Sequence, residues 1–277
     1  MMDRNPPSPE KKSPIQLRWT LLAVLVGCLL GIWLFNTPPG LLGKSDAIAY
    51  AVCHRIGSHS FYFGDRPFSL CARCSGQYLG FLWGFGVQAL LGKKKSGFPG
   101  RWQSVLLGAL VLFYLVDSLN SLFQFNPGLS KWSLYQPDNI LRLFSGLGMG
   151  LTISGFYYPL MGQTVWRETS LQEPLGGARD WGIFLGGGIL IGLLVLTGNP
   201  LITYFLILLS TGGLLGLLTL LYMVIWILIR KKENSFLRLA DLGWWILAGF
   251  GTALLQITLI DGLRYLLTGT WSGYLEF

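Results

Sequence analysis

Seven stretches of this chain are long and apolar, near residues 18–36, 72–92, 102–123, 140–161, 181–198, 201–229 and 240–267. A helix needs about 20 mostly apolar residues to cross the hydrocarbon layer of a membrane. In lipid, every backbone N–H and C=O must be satisfied within the spanning structure. Such a chain is expected to fold as an all-α, polytopic transmembrane helical bundle of about seven spans. Composition agrees, with 12% charged residues and a mean hydropathy of +0.51, where soluble domains carry about 25% charge. The 37 glycines suit helices that pack closely in a bilayer. Gly198-Asn199-Pro200 reads as a tight turn between the fifth and sixth stretches.

The formal net charge of +8 is not spread evenly. Twelve of the 21 basic residues fall in three clusters: Arg4, Lys11, Lys12 and Arg18; Lys93 to Lys95 with Arg101; and Arg230 to Lys232 with Arg238. Each flanks an apolar stretch, which is a membrane-orientation signal and argues against nucleic-acid binding. With the N-terminus in the cytoplasm, all three clusters and the loop holding Arg167 and Arg179 fall on the inner side. The expected localisation is an integral, multi-pass protein of the plasma or another internal membrane, with the lipid bilayer as its one assignable partner. Residues 1–17, with Pro6, Pro7, Pro9 and Pro14, read as a disordered cytoplasmic tail. Trp19 to Phe35 reads as an uncleaved signal-anchor helix, because no small-x-small cleavage site follows it.

Three of the four cysteines and both histidines fall between Cys53 and Cys74. Thiolates and imidazoles are the side chains that hold transition metals and carry redox chemistry. Cys53, His54, Cys71 and Cys74 make a Cys3His set of the kind that binds zinc, with His59 as the alternative nitrogen ligand. Ser75 after Cys74 stands where covalent haem attachment needs histidine. In the topology above this loop is extracytoplasmic, where disulfides also form. Cys71 and Cys74 open the second stretch, and a helix N-terminus stabilises a thiolate. Their position is similar to that in membrane thiol–quinone oxidoreductases, so a redox set of Cys71, Cys74 and Cys53 stands as an alternative. A structural disulfide with one leftover thiol is the third reading. Cys28, mid-span, reads as a packing residue. Gly64-Asp65-Arg66-Pro67 reads as a turn between two extended pieces that folds Cys53 back toward Cys71 and Cys74.

Ionisable residues inside spans are candidates for function, because burying them in lipid is costly. Asp117 and Asp261 qualify. Asn139 and Arg142 open the fourth stretch on the same side. These four are expected to form a polar layer beneath the cysteines, with Arg142 pairing to one of the acids and Asp261 pairing to Arg264 along its own helix.

These residues resemble an uncharacterised family of predicted membrane proteins, domain of unknown function 2085. The resemblance is carried by Cys53-His54, Ser60-Phe61, the run from Phe68 through Cys71-Ala72-Arg73-Cys74 to Gly76, and Tyr78. Asp117 and the spaced Asn139, Arg142 and Gly146 extend it, over roughly 45–155. Ser118 and Asn120-Ser121 depart from the Gly and Gln usual after the acid. The resemblance implies a membrane fold and the site, with no reaction attached.

The expected organisation is a tail over 1–17, a membrane domain with the Cys/His loop over 18–161, and a three-span C-terminal segment over 181–267. The expected function is an integral membrane protein whose extracytoplasmic site binds zinc or another transition metal. The alternatives are a quinone-coupled thiol–disulfide oxidoreductase and a structural or assembly partner of a larger membrane complex. The sequence names no protein partner and leaves open whether the protein is an enzyme.

Overall fold

The computed structural model describes residues 14–272. Arg4, Lys11, Lys12 and the predicted tail up to residue 13 lie outside the described residues. The chain runs α1 (Pro14–Asn36), α2 (Gly40–Tyr50), a hairpin of β1 (Tyr62–Phe63) and β2 (Arg66–Pro67), and α3 (Ala72–Leu91). It continues with α4 (Arg101–Phe125), α5 (Asn139–Val165), α6 (Ala178–Leu196), α7 (Pro200–Ile229) and α8 (Gly243–Thr268). All seven predicted stretches are helices. Six described helices are long and apolar enough to cross a membrane. α3 has the length, at 20 residues, but not the apolarity. It reads as the least apolar stretch because its polar side chains face protein: Gln88 donates to the Gly84 and Ser154 carbonyls at 3.1 and 2.9 Å.

Local chemistry sets the helix ends. Asp138 caps α5 by accepting from Ile140 N–H at 3.0 Å. Asn199 caps α7 by accepting from Leu201 N–H at 3.0 Å, with Pro200 at the first helical position. Gly198 takes a left-handed φ of +62° between α6 and α7, as the turn signal there requires.

α3 and α5 form the centre. A Cβ on Gly76 would lie 2.2 Å from Leu143 O, and one on Gly80 would lie 2.4 Å from Leu147 O. The facing helix answers in kind: a Cβ on Gly146 would lie 2.1 Å from Arg73 O, and one on Gly150 2.0 Å from Gln77 O. Two small-xxx-small ridges therefore interlock, and the backbones meet where a methyl group would hold them apart. In α5 67% of the apolar window is buried, against 11% in α1, which lies at the lipid-facing margin.

The basic loops share one end of the bundle. Lys95 bridges Ser170, and Trp166 bridges Phe236. Trp19, near the start of α1, stacks on Trp244 of α8 with ring centroids 5.4 Å apart. The cysteine loop lies at the other end.

Between α1 and the cysteine loop the structure adds a helix that the hydropathy reading does not contain. α2 has 11 residues, too short and too mixed to register as a span, and it buries Ala47, Ala49 and Tyr50. The turn in the loop is also tighter than predicted. Gly64-Asp65 alone make it, with Gly64 at φ +60°, and Arg66-Pro67 form the second strand.

Candidate metal centre

α3 begins immediately after Cys71, so the Cys71-x-x-Cys74 spacing puts both sulfurs on its first turn. The returning loop brings Cys53 to them. One sulfur atom from each of Cys53, Cys71 and Cys74 lies within 4.8 Å of the others. Cys53 and Cys71 are buried, and none of the three is in a disulfide. Cys71 N–H donates to Cys53 Sγ at 3.4 Å. Hydrogen bonds from the Cys71 and Cys74 thiols hold Cys53 well below the ordinary thiol value. The same sharing, with Cys53 as the acceptor, pushes Cys71 up to about 12, helped by burial.

The donor set fits a soft or borderline metal ion. Sulfurs around tetrahedral zinc stand about 3.8 Å apart, given a Zn–S bond of about 2.3 Å, so a small inward movement would close the trio on an ion. The two histidines do not join the sulfur group. His54 Nδ1 accepts from Ile56 N–H at 3.1 Å, which leaves Nε2 carrying the proton of the neutral ring. Burial holds His54 below the usual imidazole range. Its ring stands 5.3 Å from that of His59, which in turn faces Phe125 at 6.3 Å.

Three tethers hold the loop over the cysteines. Asp46 of α2 pairs with Arg55 at 3.0 Å and with Arg66, so one carboxylate grips both limbs. Arg264 of α8 donates to Cys53 O at 2.8 Å and also to Tyr50 O, with its guanidinium 4.0 Å above the Tyr50 ring. Asn139 donates to Ser58 O at 3.2 Å and Ser60 O at 3.3 Å.

Asp117 lies beside the cysteines, but its partner differs from the expected one. It is fully buried, and Arg73, the residue between Cys71 and Cys74, donates to its Oδ2 through Nε at 3.0 Å. Ser145 Oγ donates to Oδ2 at 3.1 Å, and Tyr135 OH donates to Oδ1 at 3.0 Å. Arg142 makes no ion pair with any described residue and donates to Asn139 Oδ1 at 2.9 Å. From the first turn of α3, Arg73 takes the position at Asp117 that Arg142 was expected to fill.

Asp261 faces α1 instead of the Asp117 cluster. Its Oδ2 accepts from Trp33 Nε1 at 3.2 Å, and it lines a separate cavity of about 340 Å³ with Trp33 and Thr37. No ion pair links it to Arg264, whose guanidinium turns toward the loop carbonyls.

Residues 53–156 match the family model of DUF2085, described as predicted membrane protein. The DUF2085 match starts at Cys53 and runs through α3, α4 and most of α5, so it contains the cysteine trio, the glycine interlock and the Asp117 cluster. An uncharacterised protein of Methanocaldococcus jannaschii, MJ1492, is 26% identical over 124 residues, covering 44% of this chain and 71% of that protein. No solved structure matches.

Sequence reading missed Asp46, Arg66 and Arg264 as organisers of the site and gave Arg73 no structural partner. Arg73 carried a signal, since a charge buried between two cysteines must find a counter-ion. Asp46 and Arg264 carried none, because their partners are distant in sequence and several are backbone carbonyls.

Proposed function

We propose that Cys53, Cys71 and Cys74 bind a transition-metal ion, zinc by preference, at the extracytoplasmic face of this membrane protein. The observation that carries the reading is the convergence of three undisulfided sulfurs to within 4.8 Å from two separate segments. Three thiolates fill three positions of a tetrahedral ion and leave the fourth exchangeable, the pattern of sites that act on a ligand. His54 enters the set only if Nδ1 gives up its bond from Ile56, so the fourth position is assigned to water or a substrate group. The outer location rests on the charge distribution, with the basic loops gathered at the opposite end.

Elemental analysis beside a thiol count tests this on wild type and on Cys71→Ser/Cys74→Ser. About one equivalent of metal, absent from the double variant, with the wild-type thiols reduced, is the expected result. Metal-free protein with two thiols oxidised would overturn it.

One observation favours a second reading. A third free cysteine, Cys53, with its sulfur close to those of a C-x-x-C pair is also the arrangement of a thiol–disulfide exchanger. That reading expects Cys71 and Cys74 to cycle between dithiol and disulfide with a membrane quinone as oxidant.

A further inference from the structure

Arg142 is 6% exposed, yet it makes no ion pair with any described residue. The ion pairs of the described residues are Asp46 with Arg55, Asp46 with Arg66, and Asp117 with Arg73. Among the described residues Arg142 donates one hydrogen bond, to Asn139 Oδ1, and its Nε is buried without a partner there. A buried, unpaired guanidinium is disfavoured by several kcal/mol and near a membrane marks a functional site by default. Here it lines a cavity of about 240 Å³ with Ser58, His59, Ser121 and Gln124. The remaining described walls are Phe125 and Pro137, so no described carboxylate lines the cavity.

The surroundings favour an anion. Asp117 is occupied by Arg73, Ser145 and Tyr135 and makes no ion pair with Arg142. Arg73 also donates to Ser121 Oγ at 3.0 Å, placing a second guanidinium behind that wall. Asp138, the closest acid along the chain, is exposed and spends Oδ2 on the α5 cap. Hydroxyls, an imidazole and a planar cation around one cavity are the donors that recognise a tetrahedral oxyanion.

We propose that this cavity is a binding site for a phosphate group, with Arg142 as its principal ligand and Ser121 as a further donor, in a wall that Ser58 and His59 share. The group reaches it either as a free phosphate ester or as the headgroup of an anionic phospholipid, because α4 and α5 bring the cavity to the membrane end that carries the cysteine loop. The site stands on Arg142 alone and does not require a metal on the cysteines.

Binding is measured on the full chain in two forms: in detergent, by calorimetry with inorganic phosphate, and in phosphatidylcholine nanodiscs with and without phosphatidylglycerol, by native mass spectrometry. The variants are Arg142→Gln and Gln124→Glu. Gln124 is exposed at the cavity mouth, so a carboxylate there competes with the anion without disturbing the core. Saturable phosphate binding weakened at least tenfold in both variants supports a free phosphate ester. Retention of phosphatidylglycerol in the wild type alone, with no response to inorganic phosphate, supports the headgroup. If Arg142→Gln does not fold, Gln124→Glu decides by the same criterion. Absence of both kinds of binding, or binding equal in wild type and Gln124→Glu, overturns the proposal.

Discussion

Arg73, between the two cysteines that open α3, donates through Nε to the buried carboxylate of Asp117 on α4 at 3.0 Å. The cysteine motif is thereby tied to a neighbouring helix through the one charged residue it contains. The side chain that orients the motif in sequence is also its anchor in space.

Removing one partner of this pair leaves the other charge uncompensated. Asp117→Asn is expected to destabilise the protein by about 3 kcal/mol and to loosen the start of α3. Arg73→Met/Asp117→Leu should recover most of that loss, because neither charge then remains. Thermal melts in detergent read both, and a single variant that melts with the wild type would remove the pair from the stability account.

The backbone contact at Gly146 makes a second expectation. A methyl there meets Arg73 O at 2.1 Å, so α5 must retreat from α3. Gly146→Ala is expected to cost about 1–3 kcal/mol, as overpacking does, and to lower metal stoichiometry by displacing Cys71 and Cys74. Gly108→Ala on α4 has nothing within 4 Å and serves as the neutral control. Equal melting and metal content in the two variants would show that the helices tolerate separation.

Tyr135 predicts an alkaline limb. Burial and its hydrogen bond to Asp117 push its phenol up to about 12, above the ordinary value near 10. A raised folded value favours the protonated form, so the contribution is fully present below pH ~10 and fades as pH rises toward about 12. Melting wild type and Tyr135→Phe across this range should show a gap that is constant below pH ~10 and narrows above it. A gap independent of pH would mean that folding does not raise the phenol's titration.

Orientation is open to direct labelling. Leu134→Cys lies in the exposed α4–α5 connection and Glu233→Cys in a basic loop at the opposite end. In intact cells a membrane-impermeant maleimide should label Leu134→Cys above the wild-type background and leave Glu233→Cys at background until the membrane is permeabilised. The reverse pattern would place the cysteine cluster in the cytoplasm.

How much of this could be read beforehand follows from range. Spans announce themselves because a run of apolar residues is a local property, and seven helices stand where the hydropathy is high. The one discrepant span, α3, is the one whose polar residues are answered by other helices. Convergence of the cysteines was legible because clustering of rare residue types is also local. The partners were not. Arg142 is equally plausible on paper as the mate of Asp117 or Asp261, and the structure gives it neither. His54 looks like a ligand by adjacency, yet its ring nitrogen is engaged by Ile56 N–H, a bond set by the loop's own path.

By itself the sequence determined that this chain is a helical membrane bundle with thiols and imidazoles at one end, because burial of apolar length and the orienting effect of basic loops depend on composition along the chain. Tertiary structure alone decided which charges meet. That choice rests on which helix faces touch, here dictated by glycines that let α3 and α5 approach at backbone distance, and it leaves Asp117 with Arg73 and Arg142 beside an open cavity.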